Sequence, residues 1–90
     1  MLVALIAYDK PDALQIRKDT REQHLKYIED TGIVQQAGPL LDDDGEMIGS
    51  LIVLDCTDLE AAAEWSADDP YCRAGLFRDV QLIRWNRVIG

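Results

Sequence analysis

Two runs of consecutive apolar residues, Leu2-Val3-Ala4-Leu5-Ile6-Ala7-Tyr8 and Leu51-Ile52-Val53-Leu54, constrain this chain more than any other feature. Each has the length of a strand and is too short to specify a helix. Successive side chains of a strand point to opposite faces of its sheet, so an unbroken apolar run demands cover on both faces. Ninety residues make one domain, spanning residues 1–90, near the size at which a single core is barely sufficient. The chain's own helices must cover one face. Something else must cover the other.

The intervening sequence supplies those helices. Asp9-Lys10-Pro11-Asp12 is turn chemistry, with Asp12 placed to cap a helix beginning near Ala13. Thr20 is a candidate interruption, and the strongest helical pattern covers about Lys18 to Asp30. Within it Lys18, Glu22, Lys26 and Asp30 alternate in sign at four-residue intervals, the mark of a solvated helix face. At about 100° per residue, His24 lies opposite that ladder and faces inward with Leu25 and Ile28. Gly32 ends the helix.

A second strand is expected over Ile33 to Leu41. Gly38-Pro39 interrupts it and marks it as an edge or a bulge, because proline donates no ladder hydrogen bond. Asp42-Asp43-Asp44-Gly45 is a hairpin turn. Its acid cluster lacks the ligand pattern of a calcium loop, so no metal is expected there. Met47 to Asp55 is the third strand. Thr57 or Asp58 caps a second helix with Leu59, Ala62, Ala63 and Trp65 as its apolar positions. In Asp69-Pro70 the aspartate reads as an N-cap and the proline as the first residue of a short helix. Val80 to Ile89 completes the set, with Val80, Leu82 and Trp85 inward. The order β-α-β-β-α-β predicts an α+β, ferredoxin-like domain with two helices on one face of a four-stranded antiparallel sheet. A second copy of the chain, sheet against sheet, is the economical cover for the other face, and a homodimer is expected.

Composition narrows the function. Nine basic and seventeen acidic residues leave a net charge of −8, which opposes general binding to nucleic acid or to an anionic membrane. No apolar stretch is long enough to span a bilayer, and the opening residues carry neither a basic leader nor a cleavage pattern. Cys56 and Cys72 are too few for a disulfide scaffold and read as reduced thiols of a cytoplasmic protein.

His24, the single histidine, is the natural general acid or base, because an unperturbed imidazole titrates near working pH. Arg17 and Arg21 precede it on the same side of the helix, if that helix is continuous. Two arginines four residues apart repel. Either a small anionic substrate or acidic side chains from elsewhere in the fold would relieve them. Asp69 could fix the tautomer of His24 and raise its basicity, although the capping role already explains it. Ser50 lacks a nucleophile elbow and suits hydrogen bonding to a ligand. Cys72 is a candidate thiol with no basic neighbour assured by the sequence. Phosphate loops, zinc spacings and dinucleotide fingerprints are absent, and no cofactor is expected.

The chain resembles the YciI-like (YCII-related) family nearly end to end. The resemblance is carried by Tyr8-Asp9-Lys10, Arg21-Glu22-Gln23-His24-Leu25, Gly38-Pro39, Gly49-Ser50, and Ala67-Asp68-Asp69-Pro70-Tyr71 followed by Ala74-Gly75. It implies a ferredoxin-like fold that pairs into a dimeric α+β barrel, with a histidine and an aspartate as a catalytic pair. By position these are His24 and Asp69. Arg21, Gly38, Pro39 and Ser50 become pocket neighbours, with Arg17 and Tyr71 as further substrate-binding candidates. One branch of the family is associated with dehydrochlorination of chlorinated aromatic degradation products, and no residue here selects that branch. The expectation is a small cytoplasmic enzyme doing elimination or hydrolysis on an anionic metabolite. The alternative is a non-catalytic ligand-binding or accessory dimer.

Overall fold

The computed structural model describes residues 1–90. Its elements are β1 (Leu2–Asp9), α1 (Leu14–Thr31), β2 (Val34–Leu41), β3 (Met47–Asp55), α2 (Leu59–Asp68), α3 (Pro70–Arg73) and β4 (Phe77–Trp85). The strands form one antiparallel sheet in the order β2-β3-β1-β4. The two strands with continuous apolar runs are thus the central pair, where both faces of a sheet are hardest for water to reach. On the helix side Val3, Leu5 and Ala7 lie opposite Leu54, Ile52 and Ser50. Val3, Leu5, Ala7, Ile52 and Leu54 pack with Ala62 and Trp65 of α2, and with Tyr27 and Ile28 of α1, as the main core.

Helix ends follow local chemistry. Asp58, rather than Thr57, caps α2 by accepting from the Ala61 amide at 2.8 Å. Gly32 closes α1 in the left-handed region, φ 67°, with its amide bonded to the Ile28 carbonyl. Asp69 does not cap α3 alone. It also ends α2, so one extended residue joins the two helices. The far end of α1 is tied to α2 by side chains: Tyr27 Oη donates to the Trp65 carbonyl at 2.8 Å, and Trp65 Nε1 donates to Thr31 Oγ1 at 2.9 Å. Burial, reinforced by Asp68 and Asp69, pushes the Tyr27 phenol up to about 12.

Several expectations need correction. Asp12 does not cap α1; it occupies the left-handed region at φ 58°, and Ala13 takes the cap position without a side-chain hydrogen bond. Thr20 does not interrupt α1. It is buried beside Arg17 and His24, and packing of that face holds an 18-residue helix that local propensity alone left uncertain. Leu25 is 43% exposed rather than inward. β2 is unbroken at Gly38-Pro39 because it is an edge strand; its irregularities fall between Val34 and Gln36 and between Leu40 and Leu41. β4 starts at Phe77 and stops at Trp85, where its partner β1 begins, so Val88 and Ile89 have nothing to pair with. Trp85 faces away from the core: strand alternation places it with Ile83, opposite Val80 and Leu82.

Gly49 is required by close approach. A Cβ there would lie 2.2 Å from the Ala7 carbonyl oxygen, and that neighbour is backbone. Gly49→Ala is expected to destabilise the domain by about 1–3 kcal/mol, lowering the melting temperature by roughly 4–8 °C per kcal/mol. An unchanged melting curve in differential scanning calorimetry would contradict this packing.

Candidate functional site

α1 sends Arg17, Thr20 and His24 into the protein from one face. Its continuity therefore decides the site. His24 Nδ1 lies 2.7 Å from Asp69 Oδ1, and their side chains are only 7% and 1% exposed. An ionised carboxylate has no proton to give, so Nδ1 donates and Nε2 carries the lone pair of the neutral ring. Nε2 has no partner in the chain. Asp69 Oδ1 also accepts the Tyr71 amide at 3.1 Å, whereas Oδ2 is buried with no partner at all. Such an orphaned acceptor costs about 1–3 kcal/mol. Nearly all the compensation for this buried charge therefore comes through the oxygen that His24 touches.

A stack of side chains continues from the imidazole. The Tyr71 ring lies 3.9 Å from the His24 ring at 16°, and the Arg17 guanidinium sits 4.9 Å from the Tyr71 centroid. Phe77 meets Tyr71 edge-on at 6.0 Å. Arg17 is itself held: Nε and Nη2 donate to the two oxygens of Asp9 at 2.7 and 2.8 Å, and Nη2 also donates to Ser50 Oγ at 2.9 Å. Burial pushes the Tyr71 phenol up, and Asp69 adds to this against the opposing Arg17 and Arg21 charges.

These side chains border a pocket of about 240 Å³. His24, Arg17, Arg21, Gly38, Pro39, Ser50 and Tyr71 all line it; Asp69 stands behind His24 and does not. Gly38 and Pro39 reach it because β2 is the edge of the sheet nearest α1, in register with Leu51 and Ser50. Leu25, Ile28, Ala37, Met47 and Ile52 give it an apolar wall, and Lys18 joins the two arginines. No aspartate or glutamate is among the thirteen lining residues.

Of the two readings of the arginine pair, pairing with an acid holds for Arg17 alone. Arg17 pairs with an acid, and Arg21 is exposed and makes no ion pair. Asp9 is the residue that sequence reasoning missed. It reads as turn chemistry, and only the bend from β1 into α1 brings it back to Arg17; a carboxylate eight residues before a buried arginine gives no periodic signal. Cys56 and Cys72 are free thiols outside the pocket lining, with burial pushing Cys56 up. No three His, Cys, Asp or Glu side chains converge to hold a metal ion.

A ferredoxin-like sheet whose helices enclose a buried His–Asp contact defines the class of protein. The chain belongs to the YCII-related domain family, whose match covers residues 1–86. An uncharacterised Haemophilus influenzae protein is 35% identical over 98% of this chain and 99% of its own length. Protein YciI of Escherichia coli is 33% identical over the same shares. Among solved structures, 5-chloro-2-hydroxyhydroquinone dehydrochlorinase from Burkholderia phenoliruptrix, in complex with 2,5-dihydroxybenzoquinone, superposes with a TM-score of 0.86 at 32% identity. That match covers 96% of this chain and 94% of the dehydrochlorinase. No helix of this chain is long and apolar enough to cross a membrane.

The Arg17–Asp9 pair is almost fully desolvated, with side chains 4% and 6% exposed. Asp9→Ala is expected to cost roughly 3–5 kcal/mol in urea denaturation, because it strands a buried guanidinium. A loss of less than about 1 kcal/mol, the range of exposed ion pairs, would show that water reaches Arg17.

Proposed function

We propose that this chain is a small cytoplasmic enzyme that performs general acid/base chemistry, of elimination or hydrolysis type, on a small anionic metabolite. The observation that carries the reading is the 2.7 Å His24–Asp69 contact at a pocket lined by three cations and no carboxylate. In a chain of net charge −8, such lining favours an anion locally. His24 Nε2 takes a proton from the substrate, and Asp69 stabilises the imidazolium so formed without itself becoming protonated. Arg21, which has no acidic partner, holds the anionic oxygen, and Ser50, Gly38 and Pro39 shape the opening. The chemistry needs no cofactor. The similarity to a dehydrochlorinase supports elimination, in which His24 would remove the proton as the leaving group departs.

A second reading keeps the same pocket as a non-catalytic ligand-binding or accessory site. It is favoured by the cap: Asp69 Oδ1 bonds the Tyr71 amide whether or not His24 does chemistry. His24→Asn separates the two. For a catalyst, turnover of 5-chloro-2-hydroxyhydroquinone or of a small anionic substrate should fall at least about 100-fold, while affinity stays within about tenfold. A variant that keeps its turnover, or a wild type that has none on any anion tried, would move the binding reading ahead.

The chain is further proposed to act as a homodimer. On the sheet face away from the helices Ile6 lies opposite Leu51, Ala4 opposite Ile83 and Leu2 opposite Trp85. Leu51, Ile83 and Trp85 are 41%, 50% and 40% exposed in the single chain. An identical apolar face on a second copy is its natural cover, since a two-fold interface uses one patch twice. Ile83→Lys should convert the species seen in analytical ultracentrifugation from dimer to monomer. A wild-type protein that sediments as a monomer at all concentrations would remove the proposal.

A further inference from the structure

We propose that the Tyr71 hydroxyl is the fixed hydrogen-bond donor for the ligand's anionic oxygen in this pocket; this rests on the anion-binding reading above and names the group that reads the oxygen. Tyr71 is 3% exposed and held on every side. Its ring stacks on His24, lies under Arg17 and meets Phe77 edge-on, and its amide is bonded to Asp69. A phenylalanine would fill the same space and keep the same stack. What tyrosine adds is one hydroxyl.

That hydroxyl has no acceptor in the chain for its proton. Arg17 is its charged neighbour, and a guanidinium only donates. Whatever Arg17 offers the phenol oxygen, the phenolic hydrogen stays unused. Buried tyrosine hydroxyls ordinarily find a partner. Tyr71 lines the pocket, and its oxygen is not among the atoms sealed from solvent without a partner, a set that holds only Asp69 Oδ2. A ligand in that pocket is the acceptor the proposal supplies.

The surroundings suit an anion there. Arg17 cannot swing out to meet a ligand, because its Nε and Nη2 are committed to Asp9 and Ser50. Its charge instead sits against the phenol and makes the O–H a stronger donor, so a bond to an anionic oxygen would be charge-assisted. Burial keeps the phenol in its donor form at neutral pH. Lys18 and Arg21 are exposed and line the same pocket, so Arg21 can help to hold the anionic oxygen by its charge while its mobile side chain leaves the direction unfixed. Direction comes from the phenol. A pocket built to satisfy a buried donor discriminates strongly against ligands that lack the acceptor.

Benzoate and toluene test this as a pair, one ring with a carboxylate and one without an acceptor. A 150 Å³ cavity already takes benzene, so both fit the 240 Å³ available. Their binding is measured by calorimetry and ligand-detected NMR on the wild type, Tyr71→Phe and Arg21→Gln. Tyr71→Phe should weaken benzoate by about 10- to 100-fold, the worth of one hydrogen bond to a charged group, and leave toluene within about twofold. If Tyr71→Phe binds benzoate like the wild type while Arg21→Gln loses it, the phenol is not the donor and the anion pocket survives. Equal weakening of benzoate and toluene would mean that only ring packing changed, which overturns the donor role. If benzoate binds none of the three, the donor and the anion pocket fall together.

Discussion

The contact between His24 and Asp69 ties the architecture to the site. One oxygen of Asp69 receives an imidazole from the middle of α1 and an amide from the start of α3. Asp69 itself is the hinge residue between α2 and α3. Three helices are therefore indexed to a single buried carboxylate. A buried charge is tolerated only when paired. The requirement to pair this one helps to hold the middle of α1 against the α2–α3 junction.

Beside that contact the polar groups are arranged in layers. Asp9 neutralises Arg17, Arg17 lies on Tyr71, Tyr71 lies on His24, and Asp69 closes the series. A carboxylate closes the series at each end, and an aromatic ring separates the guanidinium from the imidazole. Each member restricts the rotamers of the next, so the imidazole is oriented by neighbours on its faces as well as by its hydrogen bond. Preorganisation of this kind is what acid/base chemistry and selective binding both require.

Much of the fold was legible because the two apolar runs could occupy only the centre of a sheet. β3 was read to its ends, and the cap of α2 and the proline start of α3 followed from local turn chemistry. The inward direction of His24 was legible from the charge ladder on the opposite side of its helix. Other features were set by partners distant in sequence. The end of β4 depends on where β1 begins, and Asp12 adopts a left-handed conformation that its capping preference does not announce. Asp9 illustrates the limit for the site. Its role as counter-ion exists only once α1 folds back against β1, a tertiary event that no local pattern encodes.

Burial separates the charges around the pocket into two populations. Arg17, Asp9, His24 and Asp69 are out of water and are held in hydrogen-bonded pairs, while Lys18 and Arg21 stand at the surface uncancelled by any lining carboxylate. Dissolved ions screen only the second population effectively, over a length of about 8 Å at physiological ionic strength. For the anionic ligand proposed above, capture and any later chemistry would be governed by different solvents: the first by bulk electrolyte, the second by a nearly dry interior. Salt concentration should act on the rate of arrival and leave the events beside His24 almost untouched.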